Sequence, residues 1–238
     1  MASITLVHTN DLHGRLTREK LPFLLSLRDS ADLYFDSGDC VKSGNLSLPM
    51  KPDPAWALLH EARCDASCPG NRESHPLASG MKAKFAGARH PVLCANWRDK
   101  QGAHVFETSH FWIVKGVRVA AFGVMVPIVT DRMTTRAASN YLWDQPVPCA
   151  VEAAGALRKK ADIVVALTHI GVAQDRKLAE ATSDIDVIFG GHSHTVIEAP
   201  EVVNGVAICQ GGSHAQFVGR YVIEPGKGVT KAELLPWP

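Results

Sequence analysis

Five short apolar runs in this chain end in the same way. Residues 4–7 lead into His8-Thr9-Asn10-Asp11-Leu12-His13-Gly14, and residues 33–35 into Asp36-Ser37-Gly38-Asp39. Residues 66–68 lead into Pro69-Gly70-Asn71-Arg72-Glu73, residues 163–167 into Thr168-His169-Ile170-Gly171, and residues 187–189 into Gly190-Gly191-His192-Ser193-His194. Runs of this length, bounded by turn residues, read as buried strands. Each ends in Asp, Asn or His, mostly beside a glycine that lets the backbone turn sharply and approach a ligand closely. Open α/β sheets bind ligands beyond the carboxyl ends of their strands, so the five tips are expected to share one crevice.

The rest of the chain fits such a scaffold. Further strands are expected at 92–95, 111–114, 117–124, 206–209 and 217–223, and helices at 19–28, 54–63, 76–86, 147–160 and 175–181. Pro54 suits a first helical turn, with Asp53 as its N-cap. Lys115-Gly116 between two apolar runs marks a hairpin. Alternating strands and helices, with hairpins in the middle and at the end, predict an α/β fold with mixed sheets. No repeat or flexible linker divides the sequence, so residues 1–238 are expected to form a single domain. The most irregular stretch, 43–54, holds three prolines and reads as a surface loop.

Charge narrows the function classes. The chain has 25 Lys+Arg against 24 Asp+Glu, a net charge of +1. That balance argues against a nucleic-acid polymer or an anionic membrane as partner. No run approaches the roughly 20 apolar residues that span a bilayer, and residues 4–7 are too short for a secretory signal. A cytoplasmic location is expected. The six scattered cysteines then read as reduced, buried thiols rather than as disulfides.

Within the tips, the spacing suits metal binding. In extended backbone, residues i and i+2 point the same way, so Asp11 with His13, and His192 with His194, would each offer two ligands. Each pair alone is an ordinary turn or capping motif. Together with Asp39, Asn71 and His169 they make seven donors, three oxygens and four imidazoles. One four-coordinate ion cannot use seven. Two ions about 3.5–4 Å apart can, if a carboxylate bridges them. His60, His90, His104 and His110 lack such partners and read as structural, and Cys40 reads as a small packed residue.

The order Asp-x-His, Gly-Asp, Gly-Asn-x-Glu, His, Gly-His-x-His resembles the calcineurin-like metallophosphoesterases, and residues 8–14 resemble their 5′-nucleotidase branch. The similarity runs from residue 3 to about residue 224. It implies a sandwich of two mixed β-sheets flanked by helices, with a two-metal site at the strand ends. It would place Asp11, His13, Asp39 and His194 around one ion and Asp39, Asn71, His169 and His192 around the other, with Asp39 bridging. Two divalent ions are implied (Mn, Fe, Co, Ni or Zn), with a small phosphorylated molecule as substrate. Arg72, Asn71 and Asp39 are the expected catalytic residues. Arg72, Asn10 and His214 are the expected substrate contacts.

Three departures from that family matter. Nucleotidases of this branch usually carry a second domain that grips the nucleoside, and the resemblance here covers the catalytic domain only. The family's Gly-Asn-His-Glu reads Gly70-Asn71-Arg72-Glu73, so arginine replaces the histidine that protonates the leaving group. The carboxylate that orients that histidine falls at His75. Arginine stays charged and cannot act as an acid, yet it can clamp phosphoryl oxygens with a planar fork. The expectation is a metal-dependent phosphoesterase favouring aryl, anhydride or diester substrates, with His75 or His214 as substitute acids. The competing expectation is a degenerate module that binds metal or a phosphorylated ligand without turnover, and a third is hydrolysis of a non-phosphate ester.

Overall fold

A computed structural model describes residues 2–238. In the first half of the chain the strands are β1 (Ile4–Thr9), β2 (Leu33–Asp36), β3 (Ala66–Ser67), β4 (Trp97–Asp99), β5 (Ser109–Val114) and β6 (Val117–Met125). The second half adds β7 (Tyr141–Trp143), β8 (Ile163–His169), β9 (Val187–Phe189), β10 (Glu201–Val203), β11 (Val206–Cys209), β12 (Phe217–Glu224) and β13 (Gly228–Pro236). The helices are α1 (Leu21–Asp29), α2 (Pro54–Glu61), α3 (Ala78–Lys84), α4 (Pro146–Arg158) and α5 (Val172–Ala181). Asp53 caps α2 as expected: its carboxylate accepts the Ala55 N–H at 3.0 Å, a contact worth about 1 kcal/mol.

Two mixed sheets carry the fold. One has the order β13-β12-β1-β2-β3, the other β10-β11-β9-β8-β6-β5. Strands β1, β2 and β3 run parallel, as do β6, β8, β9 and β11, while β5, β10, β12 and β13 pair antiparallel. Side chains alternate across each strand. Ile4, Leu6 and Phe35 meet Val119, Val165, Leu167 and Phe189 in a core shared by the two sheets. Their neighbours point outward: Val7 and Tyr34 pack beneath α1 and α2, and Ala120, Val164 and Ile188 beneath α4 and α5. Covering both faces suits parallel strands, which read as continuous apolar runs for that reason.

The carboxyl ends of the parallel strands meet along one seam. The His8 ring on β1 stacks on Phe189 of β9, with centroids 4.7 Å apart and planes 14° apart. Ser37 donates its hydroxyl to the Phe189 carbonyl at 2.6 Å. Burial pushes the His8 imidazole down to about 3, so the seam holds a neutral ring.

Some expectations need correction. Residues 92–95 form no strand, because the backbone N–H groups of Leu93, Cys94 and Ala95 go to Ser67, Glu107 and Gly123 in turn, three different segments. Strands β4, β7, β10 and β13 were not anticipated. The first three have only 3 residues each, and β13 is a half-buried edge whose pattern gives no clean alternation. All six cysteines are free, and five are buried. Among the described residues, no helix is long and apolar enough to cross a membrane.

Candidate metal centre

The seven expected donors converge, but not through extended backbone. Asp11, His13, Asp39, His192 and His194 have φ of 50°, 49°, 54°, 76° and 55°. The i, i+2 geometry assumed from the sequence is therefore wrong for both pairs, although the residues it selected are brought together. Left-handed backbone at a non-glycine residue costs on the order of 1 kcal/mol or more and persists only where neighbours enforce it. Here they do: the Asp11 N–H reaches the Gly38 carbonyl at 2.9 Å, and the His13 N–H reaches that of Asp39 at 2.8 Å.

Two clusters result. In the first, the His13 and His194 Nε2 atoms stand 3.0 Å apart, and Asp11 Oδ1 lies 3.6 Å from the one and 3.2 Å from the other. In the second, Asn71 Oδ1 lies 3.2 Å from His169 Nε2 and 2.9 Å from His192 Nδ1. Asp39 belongs to both. Its Oδ1 is 3.6 Å from His169 Nε2, and its carboxylate lies within 4.8 Å of the donor atoms of Asp11 and His13.

The electrostatics fit cations at these positions. Asp11 Oδ1 is buried with no hydrogen-bond partner, a costly arrangement for an anionic oxygen unless a positive group meets it. Burial alone would raise the Asp11 and Asp39 carboxyls, yet the surrounding imidazoles hold both below the usual carboxylate range. Burial would likewise lower His169, but Asp39 and Asp11 outweigh it and push the imidazole up to about 10. A mixed set of imidazole, carboxylate and amide donors suits divalent first-row metals.

Surrounding groups aim the donors. The Ser37 carbonyl accepts from His169 Nδ1 at 2.7 Å, which leaves Nε2 free as a ligand. Glu73 is buried and accepts three backbone N–H bonds: Asp39 at 2.9 Å, Gly70 at 2.8 Å and Val41 at 3.0 Å. A side chain at Gly70 would overlap the Asp39 carboxylate, so only glycine lets the β3 tip come this close. Lys84 is 1% exposed, and its ammonium bonds the carbonyls of Gly44 and Arg72. The adjacent Asn45 accepts from Asn71 Nδ2 at 2.9 Å and so turns Asn71 Oδ1 toward the histidines. On the other side, Gln210 Oε1 accepts from the Thr195 N–H at 2.6 Å and the Ser193 hydroxyl at 2.9 Å. Sequence reasoning missed Glu73, Lys84, Asn45 and Gln210 as supports. Glu73 alone had a motif that could have flagged it.

The expected substrate contacts divide. Asn10 is buried and fully engaged: its amide donates to Asp11 Oδ2 at 2.7 Å and to the Gly212 carbonyl at 2.8 Å, and its oxygen accepts the Gly211 N–H at 2.9 Å. It positions Asp11 and has no group left for a substrate, contrary to expectation. His75 is buried, with its ring packed on Gly80 and its Nδ1 accepting the Leu77 N–H at 3.0 Å. Arg72 and His214 do face open space. With His13, Gly14, Arg15 and Lys42 they line a cavity of about 350 Å³. The Arg72 N–H donates to Asp39 Oδ1 at 2.7 Å, and its guanidinium reaches the Lys42 carbonyl at 3.1 Å.

Comparison with known proteins shows the family. The calcineurin-like phosphoesterase family model matches residues 4–196. The trifunctional nucleotide phosphoesterase protein YfkN of Bacillus subtilis is 33% identical over 97% of this chain and 19% of its own length. The 5′-nucleotidase of Vibrio vulnificus is 27% identical over 91% of this chain and 48% of its own length. The crystal structure of a 5′-nucleotidase precursor from Thermus thermophilus superposes with a TM-score of 0.79 at 23% identity, over 99% of this chain and 55% of that one. The chain thus spans less than half the length of these two sequence relatives. It belongs to the calcineurin-like phosphoesterase family and, within it, to the 5′-nucleotidase-like branch.

Proposed function

We propose that the chain hydrolyses small phosphate esters at a centre of two divalent ions. Asp11, His13, Asp39 and His194 would hold one, and Asp39, Asn71, His169 and His192 the other. The observation that carries this reading is the pair of donor clusters sharing Asp39 beside a cavity faced by Arg72. When bound, such ions activate a water as nucleophile and neutralise charge on the phosphoryl group.

The chain's own groups supply the rest. Asn10, Glu73 and the Ser37 carbonyl hold the donors in place, so little reorganisation accompanies substrate binding. Arg72 offers a planar pair of N–H donors to phosphoryl oxygens. It cannot deliver a proton to a departing alkoxide. General acid catalysis contributes about 10²–10⁴-fold, or roughly 3–5 kcal/mol, so esters whose leaving groups need no proton are favoured: aryl monoesters, anhydrides and aryl diesters.

Release of p-nitrophenol from p-nitrophenyl phosphate and from bis(p-nitrophenyl) phosphate, with Mn²⁺ or with EDTA, tests the reading. Metal-dependent release is expected. Its absence from both esters would favour a module that binds metal or a phosphorylated ligand without turnover, a reading whose one supporting feature is Arg72. Arg72→His should raise activity on an alkyl monoester at least about tenfold relative to p-nitrophenyl phosphate. A loss on every ester would leave the clamp role and remove the missing-acid account.

A further inference from the structure

We infer that the cavity beside the metal centre takes a second anionic group of the substrate, held by Arg15 and Lys42, so that the preferred esters carry a phosphate or carboxylate on the leaving-group side. The inference rests on the phosphoesterase reading for the first phosphoryl group, whose charge falls to the ions and Arg72.

Three loop tips build this subsite. The Gly14 N–H donates to the Cys40 carbonyl at 2.8 Å, laying the β1 tip along the β2 tip. At φ +68°, Gly14 packs so tightly that a Cβ there would stand 2.7 Å from the Cβ of Lys42. Its successor Arg15 is thereby set beside Lys42, and the Arg72 guanidinium bonds the Lys42 carbonyl at 3.1 Å. Three cations from distant parts of the sequence therefore face one cavity.

No anion of the protein answers them. Among the described residues, neither the Arg15 guanidinium nor the Lys42 ammonium has a carboxylate within 4.0 Å (Asp53 accepts only the Lys42 backbone N–H, at 3.0 Å), and the Arg72 guanidinium has only Asp39, at 3.9 Å. The cavity of about 350 Å³ offers roughly ten times the volume of a water molecule (~30 Å³), room for more than one phosphoryl group. A monoester of a neutral alcohol would leave the Arg15 and Lys42 charges of this cavity to solvent alone. A second phosphate or carboxylate would meet both, and arginine suits it through bidentate contact.

Non-hydrolysable probes test this directly. Calorimetric titration of the Mn²⁺-loaded protein would compare phenylphosphonate with 1,3- and 1,4-phenylenediphosphonate, whose second group cannot chelate the same ion as the first. At least one diphosphonate should bind about tenfold more tightly or better, or about 1.4 kcal/mol. That advantage should shrink to near unity in an Arg15→Gln/Lys42→Gln protein and invert in an Arg15→Glu/Lys42→Glu protein. Both side chains are exposed, so their replacement leaves the fold intact, as an unchanged thermal melt would confirm. Equal affinities in the unaltered protein, or an advantage that survives both double substitutions, would overturn the inference. Hydrolysis of p-nitrophenyl phosphate, followed in parallel, separates the two readings: turnover without the diphosphonate advantage defeats the subsite alone, and the advantage without turnover defeats the hydrolase alone.

Discussion

The tips of β1, β2 and β3 and the tips of β8 and β9 bring different chemistry to one crevice. The first set carries both carboxylates, Asp11 and Asp39, each nearly inaccessible to solvent. The second set carries only imidazoles, and His192 and His194 stand exposed. The difference follows from the cost of burying charge. An ionised carboxylate can be buried only where donors meet it: Asp11 Oδ2 receives Asn10 and the His192 N–H, and Asp39 Oδ1 receives the Arg72 N–H. An imidazole left in water asks for less, so an exposed loop steadied mainly by Gln210 is enough for His192 and His194, whereas His169 is buried against Asp39. One sheet fixes where the negative charge sits, and the other completes the donor set.

Substitutions should respect that asymmetry. The largest effect is expected for Asp39→Asn, which removes the carboxylate common to both clusters: kcat/KM on p-nitrophenyl phosphate with Mn²⁺ should fall by at least about 10³, roughly 4 kcal/mol. His194→Ala should lose less, about 10², and equal losses would erase the contrast between the two sets of tips. Next comes Glu73→Gln. An amide can present only one oxygen to three backbone donors, so denaturant unfolding should register a loss of about 2–3 kcal/mol.

The seam between the sheets gives a pH-dependent test. His8 titrates near 3 when folded, because of burial, against 6.5 when unfolded. The folded state therefore binds fewer protons between those values. The resulting stability is fully present above pH 6.5 and drains as pH falls, by about 2 kcal/mol at pH 5. Buried Asp36 and Asp175, raised by burial to about 8 and about 7, act with the opposite sign, so the quantity to read is the difference in pH slope between the unaltered protein and His8→Phe. Parallel slopes would show that the seam is indifferent to charge. The smallest effect belongs to Gln210→Ala, which frees the imidazole loop without touching a donor: Mn²⁺ affinity should weaken about tenfold, with the melting temperature little changed.

Much of this is legible in the sequence. The parallel strands were readable because both their faces are buried, which forces unbroken apolar runs such as residues 163–167. The short β4, β7 and β10 were not, since pairing rather than composition makes them strands. Asn10 shows a subtler limit. In sequence it is one more polar residue beside Asp11, and only the return of residues 211–212 to the same tip shows that its amide is already spent.

What the residues determined by themselves is the alternation of apolar runs with polar, glycine-bearing tips, and hence an α/β fold with its donors at the strand ends. That information is local, because hydrophobic periodicity and turn chemistry act over a few neighbouring residues. Tertiary structure alone decided that the tips turn through left-handed backbone, that Asp39 stands between two clusters, and that Arg15, Lys42 and Arg72 share a cavity. Those are consequences of packing two sheets face to face, which sets distances between residues that no local pattern along the chain encodes.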